Sequence, residues 1–98
     1  MTNIKINEST QSPEILFDFE KAEISISGKS YPENVNDTYK ELIAAINIYR
    51  ENPQKETTIN FNWLYYNTAT SKIIIKILLD LKATKTKLNV NWVLKKDF

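Results

Sequence analysis

The segment Tyr66-Asn67-Thr68-Ala69-Thr70-Ser71-Lys72 concentrates groups that could do chemistry. It carries three hydroxyls, Thr68, Thr70 and Ser71, where an alternating apolar run gives way to a helical stripe. A helix starting there leaves backbone N–H groups without intrahelical partners and presents the positive end of its dipole. A phosphate on one of the hydroxyls would meet those N–H groups and the Lys72 ammonium. In open α/β sheets, this strand-to-helix edge is also where ligands and partners bind. The same residues serve equally as an ordinary N-cap, which needs only one Ser, Thr or Asn.

Two other groupings are weaker. Asp18, Glu20 and Glu23 surround a hairpin, and Asp37 and Glu41 share a helix. Carboxylates in such pairs can hold a metal or exchange protons. With no histidine beside them and no pair facing inward, they read as solvated surface charge. Phe61, Trp63 and Tyr65 alternate along one strand and could stack nucleic-acid bases. A stacking platform needs basic residues beside the rings, and the neighbours here are Asn60, Asn62 and Leu64. These rings read as core beneath a helix.

Composition removes most other chemistry. The 98 residues include no cysteine and no histidine, which excludes disulfides, zinc–thiolate sites, iron–sulfur clusters and thiol nucleophiles. It also removes the commonest general base and metal ligand. The one glycine, Gly28, is too few for a dinucleotide fingerprint or a P-loop. The expectation is therefore a protein that is not an enzyme and takes no cofactor and no metal. Thirteen Lys+Arg against twelve Asp+Glu give a net charge of +1, which argues against nucleic acid as a partner. The polar start lacks the apolar stretch of a signal peptide. The longest apolar run, Ile73 to Leu79 interrupted by Lys76, is far short of the ~20 residues that span a bilayer. A cytoplasmic protein without membrane insertion is expected.

The elements that would position these residues follow from periodicity. Ile4–Ile6 alternates as a short edge strand. Glu14–Phe19 and Glu23–Ser27 alternate around a short polar link and form a hairpin, with Ile15, Phe17, Phe19, Ile24 and Ile26 inward. Gly28–Pro32 reads as a turn. Val35, Tyr39, Leu42, Ile46 and Tyr49 are spaced 4, 3, 4, 3 and make an amphipathic helix, capped by Asn34 or Asn36 and ended by Pro53. Thr57–Tyr66 is the strongest strand, with Ile59, Phe61, Trp63 and Tyr65 on one face and Leu64 and Tyr66 on the other. Asn67–Ser71 is a polar junction, Lys72–Lys82 a second helix, and Leu88–Leu94 a last strand. The order is β-β-β-α-β-α-β. The final strand–helix–strand unit requires a crossover and parallel strands. The fold expected is α/β, a small mixed sheet of four to five strands with two helices packed on it, forming one domain over residues 1–98.

Four stretches together resemble the SiaC family of bacterial regulatory phosphoproteins: Ser12–Asp18, Ile26–Asn34, Tyr65–Lys72 and Val90-Asn91-Trp92. Most of the chain is covered, about residues 4–94. The resemblance implies an architecture similar to STAS-type anti-sigma-factor antagonists. It also implies a partner switch. A dedicated protein kinase phosphorylates a threonine, and a metal-dependent serine/threonine phosphatase removes the phosphate. The unphosphorylated form binds and activates a diguanylate cyclase, raising cyclic di-GMP and promoting biofilm. The family's phosphothreonine follows the Asn of its Tyr-x-Asn-Thr block, so it falls on Thr68. Asn67, Thr70, Ser71 and Lys72 would surround it, and Ser30, Glu33 and Asn34 of the other strand-to-helix link would be neighbours. Two departures stand out: Ala22 replaces a usual glycine, and the chain ends in a short basic Leu94-Lys95-Lys96-Asp97-Phe98 where relatives carry an acidic tail. A scaffolding module without the switch and a small single-stranded nucleic-acid binder are the competing functions.

Overall fold

The computed structural model describes residues 3–95. Lys96, Asp97 and Phe98 of the basic ending, and Met1 and Thr2 of the polar start, lie outside the described residues. Five strands, β1 (Ile4–Ile6), β2 (Glu14–Asp18), β3 (Glu23–Ser30), β4 (Glu56–Tyr66) and β5 (Lys87–Leu94), form one sheet in sequential order. Helix α1 (Val35–Tyr49) joins β3 to β4, and α2 (Thr68–Lys82) joins β4 to β5. The β1–β2 and β2–β3 pairs are antiparallel, and β3–β4 and β4–β5 are parallel. This is the mixed, helix-covered sheet that the element order requires.

One face of the sheet and the helices enclose the core. Ile15, Phe17, Ile24, Ile26, Ile59, Phe61 and Trp63 alternate inward along β2, β3 and β4 and are buried. Tyr39, Leu42, Ala45, Ile46 and Tyr49 meet them from α1, and Thr70, Ile74, Ile77 and Leu81 from α2. Leu78 is half-buried beside them. The outer face of the sheet is polar. Asn91 Nδ2 donates to Asn60 Oδ1 at 2.7 Å, and Asn60 Nδ2 reaches Ser25 Oγ at 3.5 Å, so one polar row crosses β5, β4 and β3. Among the described residues no helix is long and apolar enough to cross a membrane.

Three expectations are corrected. Gly28 lies inside β3 rather than in a turn, with φ +112°, a conformation that side chains with a Cβ resist. A Cβ there would also press on Glu8 Oε2 at 3.3 Å. Beside it the β3–β4 register slips. Gly28 pairs with Trp63, but Lys29 pairs with Tyr65, which leaves Leu64 as an extra residue in β4. Such a bulge reverses the alternation beyond it. Tyr65 therefore leaves the core face and meets Tyr31, with centroids 5.9 Å apart, while Tyr66 packs on Trp63 at 5.2 Å. The expected sides of Tyr65 and Tyr66 are thus exchanged. Finally, α2 begins at Thr68, not Lys72. Asn67 caps it early enough to draw the supposed junction into the first turn.

Ala22 sits in the hairpin link at φ +51°, buried to 3% exposure. This is the left-handed region where a glycine is unstrained. The position explains why a glycine suits it, and the buried methyl offsets part of the strain in this chain.

Candidate functional site

The parallel strands β3 and β4 end side by side, with Ser30 paired to Tyr66. Each then feeds a helix. The two links are tied together where Asn67 N–H donates to Ser30 O at 3.0 Å. Asn67 has the extended backbone of an N-cap, and its Oδ1 accepts the Thr70 N–H at 2.9 Å. Its carbonyl accepts the Ser71 N–H at 3.1 Å. No acceptor serves the Thr68 and Ala69 N–H groups among the described residues. They are the orphan donors of the first turn.

Thr68 is exposed at the first helical position. Ser71 is half-buried, and its hydroxyl donates to Thr68 O at 2.7 Å. Lys72 is exposed and follows Thr68 by one turn on the same helix face. Thr70 differs. It is fully buried, with its Oγ1 at 3.0 Å from Ser30 O and 2.8 Å from Ser30 Oγ, and Ser30 Oγ is 2.8 Å from Tyr39 OH. Each hydroxyl has one proton to give. If Thr70 donates to Ser30 O, Ser30 Oγ donates to Thr70, and Tyr39 donates to Ser30. The chain Tyr39 to Ser30 to Thr70 then satisfies all three of these buried hydroxyls.

Burial pushes the Tyr39 phenol up to about 12, because an ionised phenolate would lose its hydration. Ser30 could turn its proton toward a phenolate, which offsets part of the rise, but it would then no longer donate to Thr70.

The structure thus brings Asn67, Thr70, Ser71, Lys72 and Ser30 around Thr68, with unequal access. Thr70 and Ser30 are enclosed and have no free hydroxyl to offer a ligand. Glu33 and Asn34 are exposed, and Asn34 is committed to capping α1, accepting the Asp37 N–H at 3.2 Å. No hydrogen bond links either one to the Thr68 turn among the described residues. Sequence reasoning missed Tyr39 as part of this site and assigned it to the core stripe alone. The available signal was its hydroxyl, which has to find a partner at a buried helix position. No cluster of three acidic side chains able to hold a metal occurs among the described residues. Phe61 and Trp63 are buried, so neither offers a stacking face.

A model of the family described as SiaC family regulatory phosphoprotein matches residues 6–97. The chain belongs to the SiaC family. A relative from Pseudomonas aeruginosa (strain UCBPP-PA14), itself an uncharacterized protein, is 27% identical over 78 residues. That match takes in 80% of this chain, and the chain spans 62% of that relative's length. Solved structures give the same architecture. Apo-SiaC from Pseudomonas aeruginosa superposes with a TM-score of 0.80 at 18% identity, covering 94% of this chain and 100% of that one. A second SiaC structure from the same organism gives 0.81 at 24% identity, covering 94% and 80%. A chain in the complex of the diguanylate cyclase SiaD with its activator SiaC gives 0.80 at 22% identity, covering 91% and 75%. At these identities the likeness establishes the fold, and the family match establishes membership of a family described as regulatory phosphoproteins. The SiaC fold therefore frames the site as a strand-to-helix junction with one freely exposed threonine.

Proposed function

We propose that this SiaC-family chain is a non-enzymatic phospho-switch acting in the cytoplasm as one domain. Its unphosphorylated form binds and activates a diguanylate cyclase. A dedicated protein kinase phosphorylates Thr68 and thereby blocks that contact, and a metal-dependent serine/threonine phosphatase restores it. The observation that carries this reading is the contrast between Thr68, exposed on the first turn of α2, and Thr70, buried two residues later with its hydroxyl engaged. A kinase can reach the first without opening the fold. The second is reached only by unfolding the junction.

The energetics fit a switch. Phosphate adds about −1.5 to −2 charges. The orphan N–H groups at the start of α2 and Lys72 stabilise it locally, so the fold survives. A partner interface built against a neutral hydroxyl loses far more. An unmet hydrogen bond to a charged group alone costs roughly 1.5–3 kcal/mol. Moving a complex from 99% to 1% bound takes about 5.5 kcal/mol, which places Thr68 inside the contact rather than at its rim.

The test is cyclase binding and cyclic di-GMP output with purified unmodified, Thr68→Ala, Thr68→Asp and phospho-Thr68 protein. Thr68→Ala should bind and resist the kinase, Thr68→Asp should bind weakly, and the phosphoprotein should not bind. Binding by both Thr68→Asp and the phosphoprotein as tight as that of the unmodified protein would sink the reading.

A further inference from the structure

Strand β5 is an edge of the sheet, and among the described residues nothing pairs with its outer side. Lys87 N–H donates to Lys55 O at 2.8 Å, and Lys95 N–H donates to Trp63 O at 2.9 Å. Backbone groups alternate in direction along a strand, so the odd-numbered residues from Lys87 to Lys95 spend theirs on β4. Leu88, Val90, Trp92 and Leu94 therefore turn their N–H and C=O groups outward. Their side chains lie on the helix side, in register with Thr57, Ile59, Phe61 and Trp63 of β4. Yet Val90, Trp92 and Leu94 are 45%, 43% and 46% exposed. One row of residues thus presents unpaired backbone and uncovered apolar surface together.

Proteins blunt such edges with prolines, bulges, inward-pointing charges or very short strands. Strand β5 uses none of these. It runs for 8 residues without a proline or an inward charge, and its register with β4 is unbroken from Glu56 to Trp63. The opposite edge, β1, is 3 residues long with Lys5 at its centre. A second copy of this chain offers the same long edge. Joining the two like edges closes the assembly, whereas β5 on a copy's β1 matches a long strand to a short one and leaves an open end.

The sequence of β5 fits itself in one antiparallel register. With a two-fold axis at Asn91, Val90 lies opposite the copy's Trp92 and Leu88 opposite its Leu94, so every outward residue is bonded. An axis at Val90 or Trp92 leaves one end of the row without a strand partner. On the helix side, each apolar residue then meets another, including an aromatic on a β-branched residue. On the outer face, Asn91 meets its own copy. Its Nδ2 donates to Asn60 Oδ1 at 2.7 Å, and no donor serves its Oδ1 among the described residues. An amide pair across the axis extends the polar row of Ser25, Asn60 and Asn91 into the second sheet. The one mismatch, Lys87 opposite Lys95, falls at the ends, where Glu56 lies 3.7 Å from Lys87.

We infer that β5 pairs antiparallel with β5 of a second copy of this chain, about a two-fold axis at Asn91, joining the two five-stranded sheets into one. Because β4 and its copy then run in opposite directions, the two Thr68 junctions lie at opposite ends of the joined sheet. The inference is independent of the switch reading.

The experiment uses the full chain alone. Sedimentation equilibrium from micromolar to millimolar protein should show a reversible monomer–dimer equilibrium and nothing larger. Between the two ends of that range, the amides of Leu88, Val90, Trp92 and Leu94 should gain at least tenfold protection from hydrogen exchange. Those of Asn89, Asn91 and Val93, already bonded to β4, should change far less. The chain has no cysteine, so single thiols map the register. Asn91→Cys sets two thiols across a pair whose Cα atoms lie about 4.5 Å apart, within disulfide reach. Under mild oxidation it should cross-link at least tenfold faster than Asn89→Cys or Val93→Cys alone, and a mixture of those two should cross-link with each other. Val90→Pro removes an outward donor without touching a bond to β4 and should weaken the dimer at least tenfold. Asn91→Lys, which sets two ammonium groups on the axis, should do the same, each variant being shown folded by its amide spectrum. A monomer at millimolar protein would overturn the inference. So would assemblies that grow beyond the dimer, protection without the alternation, or equal cross-linking of the three single thiols. A dimer unchanged by both Val90→Pro and Asn91→Lys would overturn it as well.

Discussion

The hydroxyls of Ser30 and Thr70 lie 2.8 Å apart across a separation of 40 residues. One closes β3 and the other sits in the first turn of α2. Their bond, with Thr70 Oγ1 on the Ser30 carbonyl and Asn67 N–H on the same carbonyl, clamps the end of one parallel strand to the start of the helix leaving the next. Thr68 is the exposed residue held between two clamped positions. A signalling hydroxyl is thereby presented at a fixed place without being part of what fixes it.

Breaking the clamp should cost stability. Thr70→Val keeps the shape but leaves buried Ser30 oxygens underserved, and Ser30→Ala does the same to Thr70 and Tyr39. Each should lose about 1–3 kcal/mol in urea unfolding. The double mutant should lose less than the sum, because the residues share one network. Strict additivity would mean that the hydroxyls do not act together.

The exposed member should behave oppositely. Thr68→Ala should stay within about 0.5 kcal/mol of the parent, as exposed substitutions do. Thr68→Asp should gain about 0.3–1 kcal/mol from the helix dipole. Asn67→Ala, which removes the cap, should lose about 0.5–2 kcal/mol. Thermal unfolding of the three variants checks the ranking, and a Thr68→Ala loss matching that of Asn67→Ala would contradict it.

Alkaline pH should weaken the fold through Tyr39. Its folded pKa of about 12 lies above the ordinary value of 10.0. A phenol raised in this way contributes stability that is whole below pH 10 and is lost as pH rises toward 12, because the unfolded chain releases its proton first. Two units correspond to roughly 2–3 kcal/mol. Denaturant midpoints between pH 9 and 12 should fall more steeply for the parent than for Tyr39→Phe. Parallel slopes would show that the phenol is not shielded.

Trp63 is fully buried against Phe61, Tyr66 and Trp92, and its indole Nε1 finds no acceptor among the described residues. Trp63→Ala should lose about 3–5 kcal/mol by emptying a large aromatic site. Trp63→Phe should lose much less, since it keeps a ring and removes an unsatisfied donor. Equal losses from the two changes would mean that the N–H is satisfied.

Much of this was legible along the chain. The 4, 3, 4, 3 spacing of Val35 to Tyr49 required an amphipathic helix, and the alternation in Glu14–Asp18, Glu23–Ser27 and Thr57–Trp63 required strands with defined inner faces. Those patterns depend only on the periods of helix and strand, which any local stretch displays. The absence of histidine and cysteine likewise removed whole classes of chemistry before any fold was known. What the tertiary structure decided were the relationships between distant segments. The bulge at Leu64 depends on how Gly28 meets Trp63 across two strands, so Tyr65 and Tyr66 exchange faces without any local sign. Thr68 and Thr70 are chemically the same and two residues apart. Only the position of Ser30 and Tyr39, brought in from β3 and α1, buries one hydroxyl and leaves the other in water. Likewise the alternation of Leu88–Leu94 gives only a last strand, and it is the tertiary structure that leaves Val90, Trp92 and Leu94 partly exposed at the edge of the sheet.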